Sequence, residues 1–392
     1  MEKNDWRVAV TPCAEYSETT VRAALKTVLE PLGGLSFIKA GMTVVIKANL
    51  VSAMKPEQAA TTHPTVIAEL TKMLKELGAD VILGDSPGGL YTAPYVNHVY
   101  AVSGMKAVEA TGAQLNQDFG QAKADFPEAA VAKTFQYTSY LDKADVIINV
   151  CKLKSHGMMG MSAAAKNMFG VIPGILKPEY HYRFPNEIDF ARMIVDLDEY
   201  FKPQLCLVDA VIGMEGNGPT AGDPRQIGCL VAGCSPHAVD LVCADIIGLT
   251  PDRVPTLGAA LERNLIPKSV TELDIFGDYQ PMKPQHFKTS AVRKSTLFSG
   301  NEKLFGKTAS KILGKLLSSR PQLKPATCVG CGVCAGLCPA KAIVMKKDKS
   351  GAKKPEINKN QCIHCFCCQE FCPKGAMRVH RTMIAKLVSK TK

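Results

Sequence analysis

The residues best suited to chemistry are cysteines, and nine of the fifteen lie between Cys328 and Cys372. They form two runs, Cys328-Val-Gly-Cys331-Gly-Val-Cys334-Ala-Gly-Leu-Cys338-Pro339 and Cys362-Ile-His-Cys365-Phe-Cys-Cys368-Gln-Glu-Phe-Cys372-Pro373. Both read C-x2-C-x2-C-x3-C-P, a spacing that holds [4Fe–4S] clusters. Three thiolates separated by two residues wrap a tight loop around three corners of an Fe4S4 cube. A helical turn carries the fourth away, and in two-cluster proteins it serves the other cube. That rule predicts two [4Fe–4S] clusters, one on Cys328, Cys331, Cys334 and Cys372, the other on Cys338, Cys362, Cys365 and Cys368. Zinc prefers pairs of C-x2–4-C, a poorer match to this three-plus-one pattern. Disulfides suit exported chains, and Met1 to Pro12 has no apolar export signal. Cys367 falls out of register and reads as a packed spare.

Every corresponding cysteine is displaced by 34 residues, so the runs are an internal duplication. It continues past the prolines, where Ala342-Ile-Val-Met345 matches Ala376-Met-Arg-Val379 as short strands covering the clusters. The stretch of about residues 325–380 resembles bacterial-type ferredoxins. Those modules are often acidic, and this one is basic. Residues 1–285 hold 25 Lys+Arg against 32 Asp+Glu, a net −7, while residues 286–392 hold 22 against 4, a net +18. A basic rim favours an acidic electron-transfer protein, a ferredoxin or flavodoxin, as partner. An ordinary solvated lysine surface is the other reading. The lysines lack interleaved aromatics, which argues against nucleic acid. No apolar run is long enough to span a membrane, and the chain reads as cytoplasmic.

The elements that must position a second site precede this tail. Short β-branched runs alternate with helix-like segments over residues 5–285. Strands are predicted at Val8–Thr11, Thr43–Ala48, Asp80–Gly84, Val146–Val150, Leu205–Asp209 and Ile227–Ala232. Helices are predicted at Ser17–Leu32, Pro64–Leu77, Tyr95–Ser103, Phe190–Phe201 and Val239–Ile247. This is an α/β pattern, a mostly parallel sheet with flanking helices, followed by a small α+β ferredoxin-like iron–sulfur domain. The expected division is an α/β domain at 1–285, a basic linker at 286–325, a two-cluster domain at 326–380 and a basic tail at 381–392. Within the linker, Glu302 to Ser318 reads as a basic amphipathic helix, docked on the large domain or binding a membrane surface or partner.

Polar residues gather just after the predicted strands, where open α/β sheets bind ligands. They are Lys47 and Asn49, Asp85 and Ser86 in Gly84–Gly89, Lys152, Lys154 and His156 after Val146–Val150, and Glu215 and Asn217 after Leu205–Asp209. Lys166 and Asn167 follow, and His63 caps a helix or joins the site. Gly84–Gly89 reads as an anion nest or a plain turn, and Glu215–Pro219 as a loop closing over a ligand or merely turning the chain. Several cations and a histidine at a buried strand end call for an anion.

The ordered set Lys47-Ala-Asn49, Thr62-His63-Pro64, Gly84-Asp85-Ser86-Pro87-Gly88, Lys152-Leu-Lys154-Ser155-His156, Lys166-Asn167-Met-Phe-Gly170, Gly213–Pro219 and Asp240 resembles the family named domain of unknown function 362. That resemblance covers roughly residues 5–265 and implies an α/β domain, often fused to a ferredoxin-type tail. Cys151 stands where proline is expected. The combined expectation is an iron–sulfur oxidoreductase acting on a small anionic metabolite. In it Lys47, Asn49, His63, Asp85, Ser86, Lys152, Lys154, Asn167, Glu215 and Asn217 bind substrate, while His156, as proton donor, and Lys166 are catalytic. A flavin is the usual two-electron intermediary, but no flavin or dinucleotide fingerprint is present. The alternative is an electron carrier or redox sensor whose α/β domain is a docking or ligand-binding module.

Overall fold

The computed structural model describes residues 5–289, 320–348 and 351–380. The predicted helix at Glu302 to Ser318 and the basic tail lie outside these residues. The main sheet comprises β1 (Arg7–Pro12), β2 (Thr43–Lys47), β3 (Asp80–Gly84) and β4 (Ala113–Leu115). After a small separate hairpin, β5 (Gln121–Asp125) and β6 (Thr134–Thr138), come β7 (Val146–His156), β8 (Gly160–Ser162), β9 (Leu205–Glu215), β10 (Asp223–Gly233) and β11 (Asp274–Phe276). The order is β11-β1-β10-β9-β7-β2-β3-β4, with β8 folded back on β7. The run β4-β3-β2-β7-β9 is parallel, and β10 is antiparallel to both neighbours. From β2 the chain moves outward to β3 and β4, whereas from β7 it moves the other way to β9. The two neighbours β2 and β7 therefore form a topological switch point, where a crevice opens beyond the carboxyl ends of the strands.

Alternation of side chains sets the layers. Val44 and Ile46 of β2 face α1 (Glu18–Leu29), α2 (Pro64–Glu76) and α3 (Ala93–Val102). Val45 between them faces the opposite layer. That layer includes α4 (Ala164–Asn167), α5 (Lys177–Arg183) and α6 (Glu187–Phe201), followed by α7 (Pro236–Ile246) and α8 (Pro255–Glu262). Helix starts carry their own signals: Ser17, His63, Asn186 and Ser235 are N-caps that accept a backbone N–H.

The fold differs from the sequence expectation at the strand ends. β7 does not stop at Val150 but continues to His156, because β8 returns beside it and pairs Lys154 with Ser162 and His156 with Gly160. β9 likewise continues to Glu215, held by β10. Lys152, Lys154 and His156 thus stand on a strand at alternate positions, not on a loop.

The C-terminal unit pairs β12 (Arg320–Leu323) with β15 (Met377–His380), and β13 (Ile343–Lys347) with β14 (Lys353–Ile357). Two single-turn helices, α9 (Val333–Gly336) and α10 (Cys367–Glu370), complete it. The duplication is visible in three dimensions. Ile343 and Met377, 34 residues apart, are buried together with Cys334 and Cys368, also 34 apart.

Candidate functional site

The crevice beyond β2 and β7 holds a polar pocket. Its wall includes Asn49, Asp85, Ser86, Lys154, His156, Lys166 and Asn167, all anticipated from sequence. Lys154 Nζ donates to Asn49 Oδ1 (2.8 Å) and to the carbonyl oxygen of Ala60 (2.7 Å). Both are neutral acceptors, so this buried ammonium lacks a counter-charge of its own. Burial and the nearby charge of Lys166 press its pKa down to about 7, with Asp85 and Glu370 opposing. Lys177, at the start of α5, is buried too and bonds to the backbone carbonyl of Ser86. Its pKa also falls to about 7 through burial, with Asp85 opposing. Lys166 has no hydrogen-bond or ion-pair partner among the described residues. Its Nζ sits over Phe169, 4.6 Å from the ring centroid, and nearer the limit over Phe190 at 5.7 Å. The turn that carries Lys166 is fixed from behind by Asp240, which accepts the N–H groups of Ala164 (2.6 Å) and Ala165 (3.3 Å).

Asn167 is the hinge-pin of the pocket floor. Its Oδ1 accepts from Asn49 Nδ2 at 2.8 Å, and its Nδ2 donates to Asn149 Oδ1 at 2.7 Å. Lys47 is paired with Asp85 at 2.6 Å, and Asp85 also accepts Leu50 N–H at 2.7 Å. The N–H groups of Ser86 and Gly88 are spent on the carbonyls of Gly170 and Val51, so Gly84–Gly89 is a braced turn rather than an anion nest.

His156 is held in one tautomer. Its Nδ1 accepts backbone N–H groups from Met158 and Met159, each at 3.1 Å. The ring proton is therefore on Nε2, and burial keeps the imidazole neutral by lowering its pKa. This suits a hydrogen-bond donor rather than the proton donor expected from sequence, because protonating Nδ1 would break both bonds.

Other predicted residues are placed outside the pocket. Lys152 is closed off by Asp209 (2.9 Å) and Tyr16 (2.7 Å). His63 stacks on Tyr16 at 3.6 Å and accepts Thr65 N–H, so it caps α2. Glu215 accepts the N–H of Lys288 at 3.0 Å. Asn217 turns to the iron–sulfur unit, where its Oδ1 accepts Val379 N–H at 3.1 Å.

Sequence reading missed Lys177, Glu370 and Phe371, which also line the pocket. Two of them come from the second cysteine run. Glu370 Oε1 lies 2.9 Å from His156 Nε2, although off the line of a well-aligned hydrogen bond. Gln369 Nε2 donates to the carbonyls of Asn217 (2.8 Å) and Gly218 (2.9 Å), and Phe366 is buried in the core of the sheet domain. The signal lay in the repeat itself. Ala335-Gly-Leu337 in the first run becomes Gln369-Glu-Phe371 in the second.

The cysteines of the two runs lie together in the small unit. Cys328, Cys331, Cys334 and Cys372 line one cavity of the small unit. Cys368 has Cys365, Cys362, Cys334 and Cys338 as thiol neighbours, and burial foremost, then Cys365, push its thiol pKa up. Ala342 N–H and Ala376 N–H, related by the repeat, bond to the sulfurs of Cys338 and Cys372 at 3.2 Å each.

The sequence profile of the family described as Domain of unknown function (DUF362) matches residues 44–245. The thylakoid-associated protein sll1697 of Synechocystis sp. is 32% identical over 268 residues, covering 66% of this chain and 80% of that protein. The chain belongs to this family. Residues 327–376 match the 4Fe-4S dicluster domain, so the family's α/β fold is joined here to a ferredoxin-type unit suited to iron–sulfur electron transfer. Two solved structures resemble parts of the chain. The lactate racemase apoprotein from Thermoanaerobacterium thermosaccharolyticum is 13% identical with a TM-score of 0.40, over 64% of this chain and 58% of that one. A Thermotoga maritima protein is 14% identical with a TM-score of 0.35, over 58% of each chain. This chain thus spans less than two thirds of either structure. Among the described residues no helix is long and apolar enough to cross a membrane.

Proposed function

We propose that this protein is an iron–sulfur oxidoreductase that relays electrons to or from a small anion held by Lys154, Lys166 and Lys177. The observation that carries this reading is the docking of the second cysteine run on the lysine pocket. Glu370, lying between Cys368 and Cys372, is itself part of the pocket wall. A carrier placed this close to a binding site needs no diffusional encounter to reach it.

Two clusters are the reading favoured by the two cysteine runs. One would be held by Cys328, Cys331, Cys334 and Cys372, whose thiols share one cavity. The other would be held by Cys338, Cys362, Cys365 and Cys368, where Cys368 has the other three, together with Cys334 of the first set, as thiol neighbours. Such clusters supply single electrons at tunable potential. Two in series can furnish an electron pair, so no flavin is invoked. The solvent side of the small unit carries exposed Cys331 and Val329, whereas Cys365, Cys367 and Cys368 are buried. The first group is then the port for an external carrier, and the second serves the pocket.

In the pocket, Lys166, whose pKa burial lowers against the opposing pull of Glu370, offers an ammonium that has no hydrogen-bond or ion-pair partner among the described residues. His156 Nε2–H offers a hydrogen-bond donor beside Glu370. Lys154 and Lys177, poised near neutrality, are suited to give up a proton as charge develops on the ligand. The test is anaerobic reduction of the holoprotein followed by mixing with a panel of small carboxylates and phosphates, read by cluster absorbance and EPR. The expected result is reoxidation by one class of anion, lost in Lys166→Ala with cluster spectra intact. Anions that shift the cluster potential without being consumed would instead favour a redox sensor.

A further inference from the structure

The three-residue spacer is where the duplicated runs part company. Ala335, Gly336 and Leu337 serve the first run, so cluster binding does not require Gln369, Glu370 and Phe371 in the second. All three of the latter face the sheet domain. Gln369 bonds to Asn217 and Gly218, Phe371 packs on Gly88, and Glu370 enters the lysine pocket. Docking alone would not call for a carboxylate there. Glu370 has a side chain only 10% exposed, and its Oε1 has no aligned donor. Lys166 in the same pocket has no ion-pair partner among the described residues. Glu370 thus stands inside an anion site without closing it.

A buried carboxylate accepts hydrogen bonds and repels a bare anion. It tolerates a second anion only when that anion presents a hydrogen toward it. Such selectivity rests on the pocket being an anion site, as proposed above. We infer that Glu370 makes the pocket selective for oxyanions that carry their own O–H, as hydrogen phosphate does, over oxyanions that have none, such as sulfate. Lys166, Lys154 and Lys177 bind the charged oxygens and Glu370 accepts the O–H, with His156 Nε2 lying 2.9 Å from Glu370 Oε1.

Isothermal titration calorimetry of the anaerobic holoprotein with inorganic phosphate and with sulfate compares two oxyanions of similar size. Phosphate should bind about tenfold tighter or more, since a buried acceptor left unpaired is costly. Glu370→Ala should bring the ratio close to one, chiefly by tightening sulfate. Glu370→Gln, which offers sulfate an N–H donor, should do the same while disturbing the interface less. Equal affinities in the parent protein would overturn the selectivity. So would an unchanged ratio in both variants with parental cluster EPR spectra. Binding of neither anion, or binding that is indifferent to Lys166→Ala, would instead overturn the anion pocket itself.

Discussion

At the scale of single residues, the pocket is defined by lysines that gave up water without gaining a carboxylate. Lys154 and Lys177 are both held near pKa 7, against about 10.4 for a solvated lysine. Between those values the unfolded chain holds protons that the folded chain does not. Stability should therefore rise with pH over that window. Urea unfolding of the anaerobic holoprotein should show a midpoint climbing from about pH 7 to pH 10, with a shallower climb in Lys154→Met and in Lys177→Met. A flat profile in the parent would mean that these lysines keep their charge. Residue type alone flagged Lys154, His156, Lys166 and Asn167, because cations crowding a buried strand end demand explanation. It could not separate them from Lys152, whose partners Tyr16 and Asp209 are distant in sequence. The role of His156 was equally hidden, since its tautomer depends on the N–H groups of Met158 and Met159.

At the scale of elements, six strands of the main sheet and five helices were legible from periodicity, while β4, β8 and α8 and the far ends of β7 and β9 were not. β7 and β9 run on to His156 and Glu215 because β8 and β10 pair with them, and pairing is a tertiary event. The element that joins the two units is shorter still. In α10 and its flanks, Phe366 has a φ of 63° where the repeat has Gly332 at 79°. A bulky residue in the left-handed region costs roughly 1–2 kcal/mol, and burial of its ring in the sheet domain's core offsets that. The docking surface on the sheet domain is fitted to this element. A Cβ at Gly88 would collide with the ring of Phe371. Gly88→Val should separate the units while each keeps its fold. Small-angle scattering should show a more extended particle, with cluster EPR unchanged. An unaltered scattering curve would show that the ring moves aside instead.

At the scale of the whole molecule, charge is segregated, −7 on residues 1–285 and +18 on residues 286–392. Exposed Lys324, Lys341, Lys346, Lys347, Lys353 and Lys374 surround the small unit. Reduction by an acidic carrier should be steered by this field. Its second-order rate should fall about tenfold between 50 and 500 mM salt, where screening shortens the reach of charge. A salt-independent rate would remove the lysine rim from the encounter. The spacer Gln369–Phe371 has one more consequence at this scale. It is bracketed by Cys368 and Cys372, proposed above as ligands of different clusters, while its middle residue forms part of the pocket. On the proposed reading, three consecutive residues would thus be a bare junction between both clusters and the anion pocket. With no insulating layer there, the arrival of a charged guest would be felt as a change of voltage, and the state of charge as a change in how firmly the guest is held.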